Sequence, residues 1–180
     1  DVGPTADYSR NTLPTTDNIL DFEDLVVFAM NFARVSAPQA SMQPVAADRD
    51  ELLLESVDLV AAGKDVQVSL RLRSTGAVQG LAMRLSWDPE VVTPVGDEAG
   101  ALAESQGALV LSARPGTVDA AVLGTDAGFR GEGVVATVTF RALKAGDPKI
   151  RLASADARDP QNRKVILATS ERVVRPLPAV

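Results

Sequence analysis

The chain has 180 residues and a net charge of −6, and it contains neither cysteine nor histidine. The missing residue types exclude disulfides, thiol nucleophiles, histidine acid–base chemistry and the usual zinc sites. Only 4% of the residues are aromatic although 46% are hydrophobic, which favours a core of branched aliphatic side chains packed between β-sheets.

The acidic residues are concentrated at the N-terminal end. Residues 1–24 hold six acidic residues and a single base, Arg10, whereas the rest of the chain is close to neutral. Without a basic patch, a nucleic-acid partner is not expected. No stretch approaches the roughly 20 apolar residues needed to cross a bilayer, so no membrane span is expected. The local acidity favours a local use, such as binding a cation.

Apolar residues at helical spacing predict a helix of about 13 residues that starts near Phe22. Acidic side chains open its first turn, where they are favourable to the helix dipole. Further apolar residues lie on its other sides, so packing against one neighbour would leave hydrophobic area exposed. This pattern therefore predicts that the helix also contacts a binding partner. The predicted partner-binding residues are Phe22, Leu25, Phe28 and Phe32.

The residues before this helix match part of a calcium loop. An EF-type loop supplies oxygen ligands from positions 1, 3, 5, 7, 9 and 12. Three aspartates fit positions 5, 9 and 12, but position 1 falls on Leu13, whose side chain cannot bind a cation. In an expanded loop, the first residue of the chain, Asp1, would act as the ligand at position 1. The predicted calcium ligands are Asp1, Asp17, Ile19 (backbone carbonyl), Asp21 and Asp24. The alternative is that these acids only cap the helix and solvate the tail.

This segment resembles the calcium repeats of dockerins. It resembles in particular a variant in which an opening Asp-Val-Gly-Pro-Thr run (residues 1–5) precedes an expanded loop and a closing Asp-Phe-Glu-Asp-Leu run (residues 21–25). The resemblance covers one calcium repeat, whereas dockerins usually have two. It implies calcium as a cofactor and a helix that docks on a protein partner.

The remainder of the chain is predicted to be a linker followed by a β-sandwich. Residues 35–50 are rich in Pro, Ala, Ser and Gln without periodicity, which is typical of a linker. Residues 51–180 contain short alternating runs with Gly or Pro in nearly every gap. About eight or nine such strands predict an all-β, jelly-roll-like sandwich. The predicted domains are 1–34 (calcium loop and helix), 35–50 (linker) and 51–180 (sandwich).

Three runs within residues 52–167 resemble cohesin domains in their order and spacing. The first is Gly80-Leu-Ala-Met-Arg-Leu-Ser-Trp-Asp-Pro89, an alternating strand that ends in aromatic-Asp-Pro, and the others are residues 131–140 and 156–162. The resemblance implies a jelly-roll with a flat sheet face that receives a dockerin helix. It places Ala82, Arg84 and Ser86 on that face, although these could be ordinary solvent-facing positions. Trp87 alternates inward and is expected in the core.

Together these patterns favour a non-catalytic interaction module that is secreted or at the cell surface. Carboxylate pairs such as Asp97 and Glu98, or Asp156 and Asp159, are expected on turns, and the aromatic lining of a sugar cleft is missing, so catalysis is not expected. The leading hypothesis is head-to-tail assembly, in which the helix of one copy docks on the sandwich of the next to form a filament or surface scaffold. Packing of the helix on its own sandwich is the other arrangement. Alternative functions are an anchoring module for another protein's dockerin and a polysaccharide-binding module.

Overall fold

The computed structural model describes residues 22–32 and 50–174. In this part of the chain there are two helices and ten strands. The helices are α1 (Phe22–Asn31) and α2 (Ala101–Ser105). The strands are β1 (Glu51–Ser56), β2 (Asp65–Thr75), β3 (Gly80–Ser86), β4 (Val92–Ala99), β5 (Leu109–Leu111), β6 (Thr117–Ala121), β7 (Arg130–Ala142), β8 (Arg151–Arg158), β9 (Lys164–Val165) and β10 (Ala168–Val173).

The strands form two five-stranded sheets that pack face to face. The first sheet has the order β10-β1-β2-β7-β4, and the second sheet has the order β5-β6-β3-β8-β9. All pairs are antiparallel except β1 with β10, which is parallel and starts at the Glu51–Ala168 pair. The predicted all-β, jelly-roll-like sandwich is confirmed, with ten strands rather than eight or nine.

The core between the sheets is aliphatic because each strand places every second side chain inward. In β2, for example, Val68, Leu70 and Leu72 are fully buried, and in β3 the same holds for Leu81 and Met83. The main core also takes in two buried aromatic residues, Phe129 and Phe140. Trp87 packs against this core, with its ring 5.6 Å from the Phe140 ring in an edge-to-face arrangement, as predicted.

The helices and the last strands differ in detail from the sequence predictions. Helix α1 has 10 residues instead of about 13, and its last residue, Asn31, donates a side-chain hydrogen bond to the carbonyl of Val27. Helix α2 was not predicted, because five residues are too few to show helical periodicity. The last run predicted from the sequence, residues 165–167, overlaps the end of β9, whereas β10 follows that run and gains its backbone partners from β1 rather than from its neighbours in sequence.

Candidate protein-interaction face

The outward residues of β3 define one exposed surface of the sandwich. Leu81, Met83 and Leu85 point into the core, so the alternate positions point away from the first sheet. We call this side of the second sheet the outer face. It contains the three predicted residues of the cohesin-like strand: Ala82 is half-buried, while Arg84 and Ser86 are exposed.

Register pairs extend the outer face across four strands, because residues directly opposite each other share a face. Ala82 lies between Asp119 of β6 and Asp156 of β8, and Arg84 lies between Thr117 and Ser154. On β5, Leu109 and Leu111 pair with Ala121 and Asp119, respectively, and are 37% and 42% exposed. Two partly exposed leucines thus lie along one edge of the outer face, beside its polar centre.

Helix α1 lies on one end of this outer face. Leu25 and Ala29 pack with Ala121 of β6 in a cluster separate from the main core, and Leu123 packs against that cluster. A Cβ atom built on Gly80 would lie 2.8 Å from Cγ2 of Val26, so the helix and the first residue of β3 are in close contact. We call the surface under α1, made of Gly80, Ala121, Leu123 and Gly124, the helix seat.

Hydrogen bonds fix the far end of the helix seat. The backbone amide of Gly124 donates to the carbonyl of Ala29 at 3.2 Å, which satisfies one of the free carbonyls at the helix C-terminus. The buried amide of Gln79 donates from Nε2 to the carbonyls of Val122 (3.2 Å) and Gly124 (2.6 Å). The segment after β6 is therefore held in place from within the domain.

The four predicted partner residues of α1 are divided between two environments. Leu25 is buried against the sheet, and the half-buried Phe22 ring lies next to Gly80. Phe28 and Phe32 remain 48% and 43% exposed, with ring centroids 5.6 Å apart. Helix α1 turns its Phe22 and Leu25 side toward its own sheet, so Phe28 and Phe32 are the two of the four that remain accessible in this arrangement. The binding of all four residues to another molecule stays a prediction.

Charges on the outer face are unevenly paired. Asp156 accepts a hydrogen bond from Arg158 at 3.0 Å through Oδ2, whereas its Oδ1 is buried and accepts none. Within residues 22–32 and 50–174, Arg84 makes no ion pair and no side-chain hydrogen bond. An exposed guanidinium that is not neutralised within its own domain is available to a carboxylate from outside.

The turn after β3 is fixed by a second charged contact. Asp88 accepts hydrogen bonds from the Lys149 ammonium (3.1 Å) and from the backbone amide of Glu90 (3.1 Å). These two donors, Lys149 first, lower the pKa of the Asp88 carboxyl. On the opposite sheet, the paired Arg141 guanidinium likewise lowers the pKa of Asp65. Both contacts lie at surface turns or strand ends, and neither of the two carboxyls with a lowered pKa lies on the outer face.

Most of the predicted calcium ligands lie outside the described residues. These are Asp1, Asp17, Ile19 and Asp21, whereas Asp24 is described and is only 6% exposed in the first turn of α1. No group of three or more acidic side chains that could hold a metal is found in the described part of the chain. The calcium site therefore stays a prediction, with Asp24 in a buried position at the start of the helix.

The carboxylate pairs that were considered for catalysis do not form a site. Asp97 and Glu98 are neighbours on β4 and both are exposed. Asp159 pairs with Arg163 at 2.7 Å, and Asp156 with Arg158, so each has its own basic partner. No cleft brings two of these carboxylates together between the described strands.

A comparison with protein families agrees with this architecture. The cohesin-domain family model matches residues 51–170, which is two thirds of the chain. The chain belongs to the cohesin family. Cohesins are protein–protein interaction modules without catalytic activity. No curated protein was similar enough in sequence to count as a match.

Solved structures show the same fold at low sequence identity. A non-cellulosomal cohesin from the archaeon Archaeoglobus fulgidus is 17% identical, with a TM-score of 0.51 over 71% of this chain and 92% of that one. The Coh-OlpA–Doc918 complex from Clostridium thermocellum gives 15% identity and a TM-score of 0.53 over 71% and 100%. The type II Coh3ScaB complex from Acetivibrio cellulolyticus gives 12% and 0.54 over 69% and 95%.

The sequence reasoning missed the residues of the helix seat. In the sequence, Gly80 is recognisable only as the start of the cohesin-like strand, and no pattern distinguishes Ala121 or Gly124. The sequence feature that could have indicated this seat is a set of small residues at the ends of two strands. Small residues permit the close approach of a helix but do not show that a helix packs there.

No helix of the described residues is long and apolar enough to cross a membrane.

Proposed function

We propose that this cohesin domain is an extracellular anchoring module that receives the dockerin of another protein on the outer face of its second sheet. The observation that carries the proposal is the family match over residues 51–170 together with the exposed Arg84 at the centre of that face, which has no partner among the described residues. The two complexes from Clostridium thermocellum and Acetivibrio cellulolyticus described above each join a cohesin to a dockerin, which supports this class of partner.

The chemistry of the outer face indicates what the partner should present. Leu109 and Leu111 offer partly exposed apolar area on β5, and Arg84 offers an exposed cation on β3. Protein–protein interfaces combine apolar contacts with complementary charges. The matching surface is an amphipathic helix with aliphatic side chains and a carboxylate that reaches Arg84.

Binding measurements with surface variants test this proposal. The full chain is titrated against a panel of calcium-loaded dockerins, and Arg84→Glu and Leu111→Asp are compared with Gln67→Glu. Gln67 is an exposed residue of β2 on the other side of the sandwich, which makes it a matched control. We expect the two outer-face variants to weaken binding at least about tenfold and the control to leave it unchanged. Equal affinities for all three variants would refute the outer face as the binding surface.

The head-to-tail assembly predicted from the sequence stays a prediction. Helix α1 lies on its own sheet, so no described contact requires a second copy. What favours assembly is the exposed pair Phe28 and Phe32, which the intrachain contact does not cover. Light scattering of the purified chain with and without calcium distinguishes monomers from filaments. The polysaccharide alternative has less support, because Trp87 packs against the core instead of standing on the surface.

A further inference from the structure

The helix seat and the proposed partner surface belong to the same side of the same sheet. Gly80 and Ala82 are two residues apart on β3, and their register partners on β6 are Ala121 and Asp119. Helix α1 covers Gly80 and Ala121, while Ala82 and Asp119 form the next pair along the strands. The part of the outer face that α1 covers therefore ends at the pair next to Ala82 and Asp119.

That separation is too small for two helices. Two residues of a β-strand span about 7 Å, whereas the axes of packed helices lie about 8–10 Å apart. A partner helix centred on Ala82 would overlap with a helix centred on Gly80. The partner can lie across Ala82 only after α1 has moved.

The contact that holds α1 is small enough to be exchanged. The buried apolar residues of its described part are Leu25, Val26 and Ala29, and Leu25 and Ala29 form a cluster with Ala121 that is separate from the main core. Between the described residues of the helix and the sandwich, the backbone amide of Gly124 donates a hydrogen bond to the carbonyl of Ala29 at the helix end. An isolated helix of 10 residues is only marginally stable, so α1 depends on its contacts with the helix seat, which lie outside the main core.

We infer that α1 is a built-in competitor for the outer face, and that the helix seat is a binding site for an amphipathic helix with the spacing of Phe22, Leu25, Val26 and Ala29. While α1 is seated, the face is closed to a partner helix at its Gly80 end. Release of α1 opens it. The role in partner binding rests on the proposed function, whereas the existence of an exchangeable seat does not.

A peptide of the chain's own residues 17–36 is the probe for the seat. In the full chain, Ala29→Glu places a charged side chain at a position that is 0% exposed, so α1 can no longer be seated. We expect this variant to bind the peptide at least tenfold more tightly than the wild-type chain, with amide NMR shifts at Gly80, Ala121 and Gly124. Phe28→Ser changes an exposed residue of α1 and should behave like the wild type.

Two further variants make the result specific. Leu25→Asp releases α1 through a different residue and should bind the peptide as Ala29→Glu does, with the Trp87 indole signal unchanged as evidence that the sandwich is folded. The double variant Ala29→Glu/Gly80→Val blocks the seat with a side chain and should lose the peptide. Equal binding by the wild type and both released variants would overturn the inference, as would no binding by either released variant at millimolar peptide.

The same experiment separates this inference from the proposed function. If no dockerin binds the wild-type chain or the released variants, the proposed function fails, yet a peptide that binds only the released variants still establishes the seat. If a dockerin binds the wild type and Ala29→Glu with equal affinity, the seat does not control the outer face and the competitor role is refuted.

Discussion

Gly80 and Val26 are in direct contact: a Cβ atom on the glycine would lie 2.8 Å from Cγ2 of the valine. The contact joins the first residue of β3 to the centre of α1, and the Phe22 ring lies on the same spot. Because Val26 is short, β-branched and buried, it cannot turn away to make room. The missing side chain at position 80 is therefore what allows the helix to rest on the sheet.

Gly80→Val is expected to detach α1 while the sandwich remains folded. The backbone at Gly80 is ordinary extended strand, so the substitution adds bulk without backbone strain, and overpacking of this kind costs about 1–3 kcal/mol. Hydrogen exchange should show loss of protection across residues 22–32 and little change in β2 and β7. Gly96→Ala is the matched control, because a Cβ there meets nothing within 4 Å. Unchanged exchange of α1 in Gly80→Val would contradict this packing.

Much of the sandwich could be predicted from the alternation of apolar residues, because burial on one face of a strand imposes a period of two. The placement of α1 could not. Its apolar residues fit a sheet of its own chain or of another copy equally well, and only the positions of Gly80 and Ala121 in space decide between them. Helix α2 escaped prediction because it is too short to show a period.

Asp24→Asn is expected to weaken calcium binding at least about tenfold, since the last position of an EF-type loop contributes a full carboxylate. The buried position of Asp24 in the first turn of α1 supports this role. Calorimetry of calcium into chelator-treated protein measures the effect. Asp97→Asn, which removes an exposed carboxylate from β4, is the control. If Asp24→Asn binds calcium as the wild type does, Asp24 only caps the helix.

Gly116→Ala is expected to destabilise the domain by about 2–4 kcal/mol. Gly116 has φ +73°, and a Cβ atom there would collide with the Trp87 ring, so the variant combines a left-handed backbone with overpacking. Gly107→Ala separates the two effects, because Gly107 has φ +62° but nothing within 4 Å of a Cβ. That control should cost about 1–2 kcal/mol. Equal losses in urea unfolding, followed by Trp87 fluorescence, would exclude a contribution from the ring contact.

The ion pair between Asp88 and Lys149 is expected to make the domain sensitive to acid. Because the Lys149 ammonium and the Glu90 amide lower the pKa of Asp88, the ionised carboxylate is favoured in the folded state. Its contribution to stability is therefore complete above the pKa of an unfolded aspartate and is lost as the pH falls through the lower folded value.

Lys149→Gln should raise the pKa of Asp88 toward its ordinary value in a carboxyl NMR titration. It should also reduce the stability at neutral pH more than at pH values below both pKa values, where the charge no longer contributes. Lys64→Gln removes an exposed lysine beside the start of β2 and leaves the Asp88 contacts in place, so it should leave the titration of Asp88 unchanged. An Asp88 pKa that is the same in Lys149→Gln and in the wild type would contradict Lys149 as the main cause of its lowering.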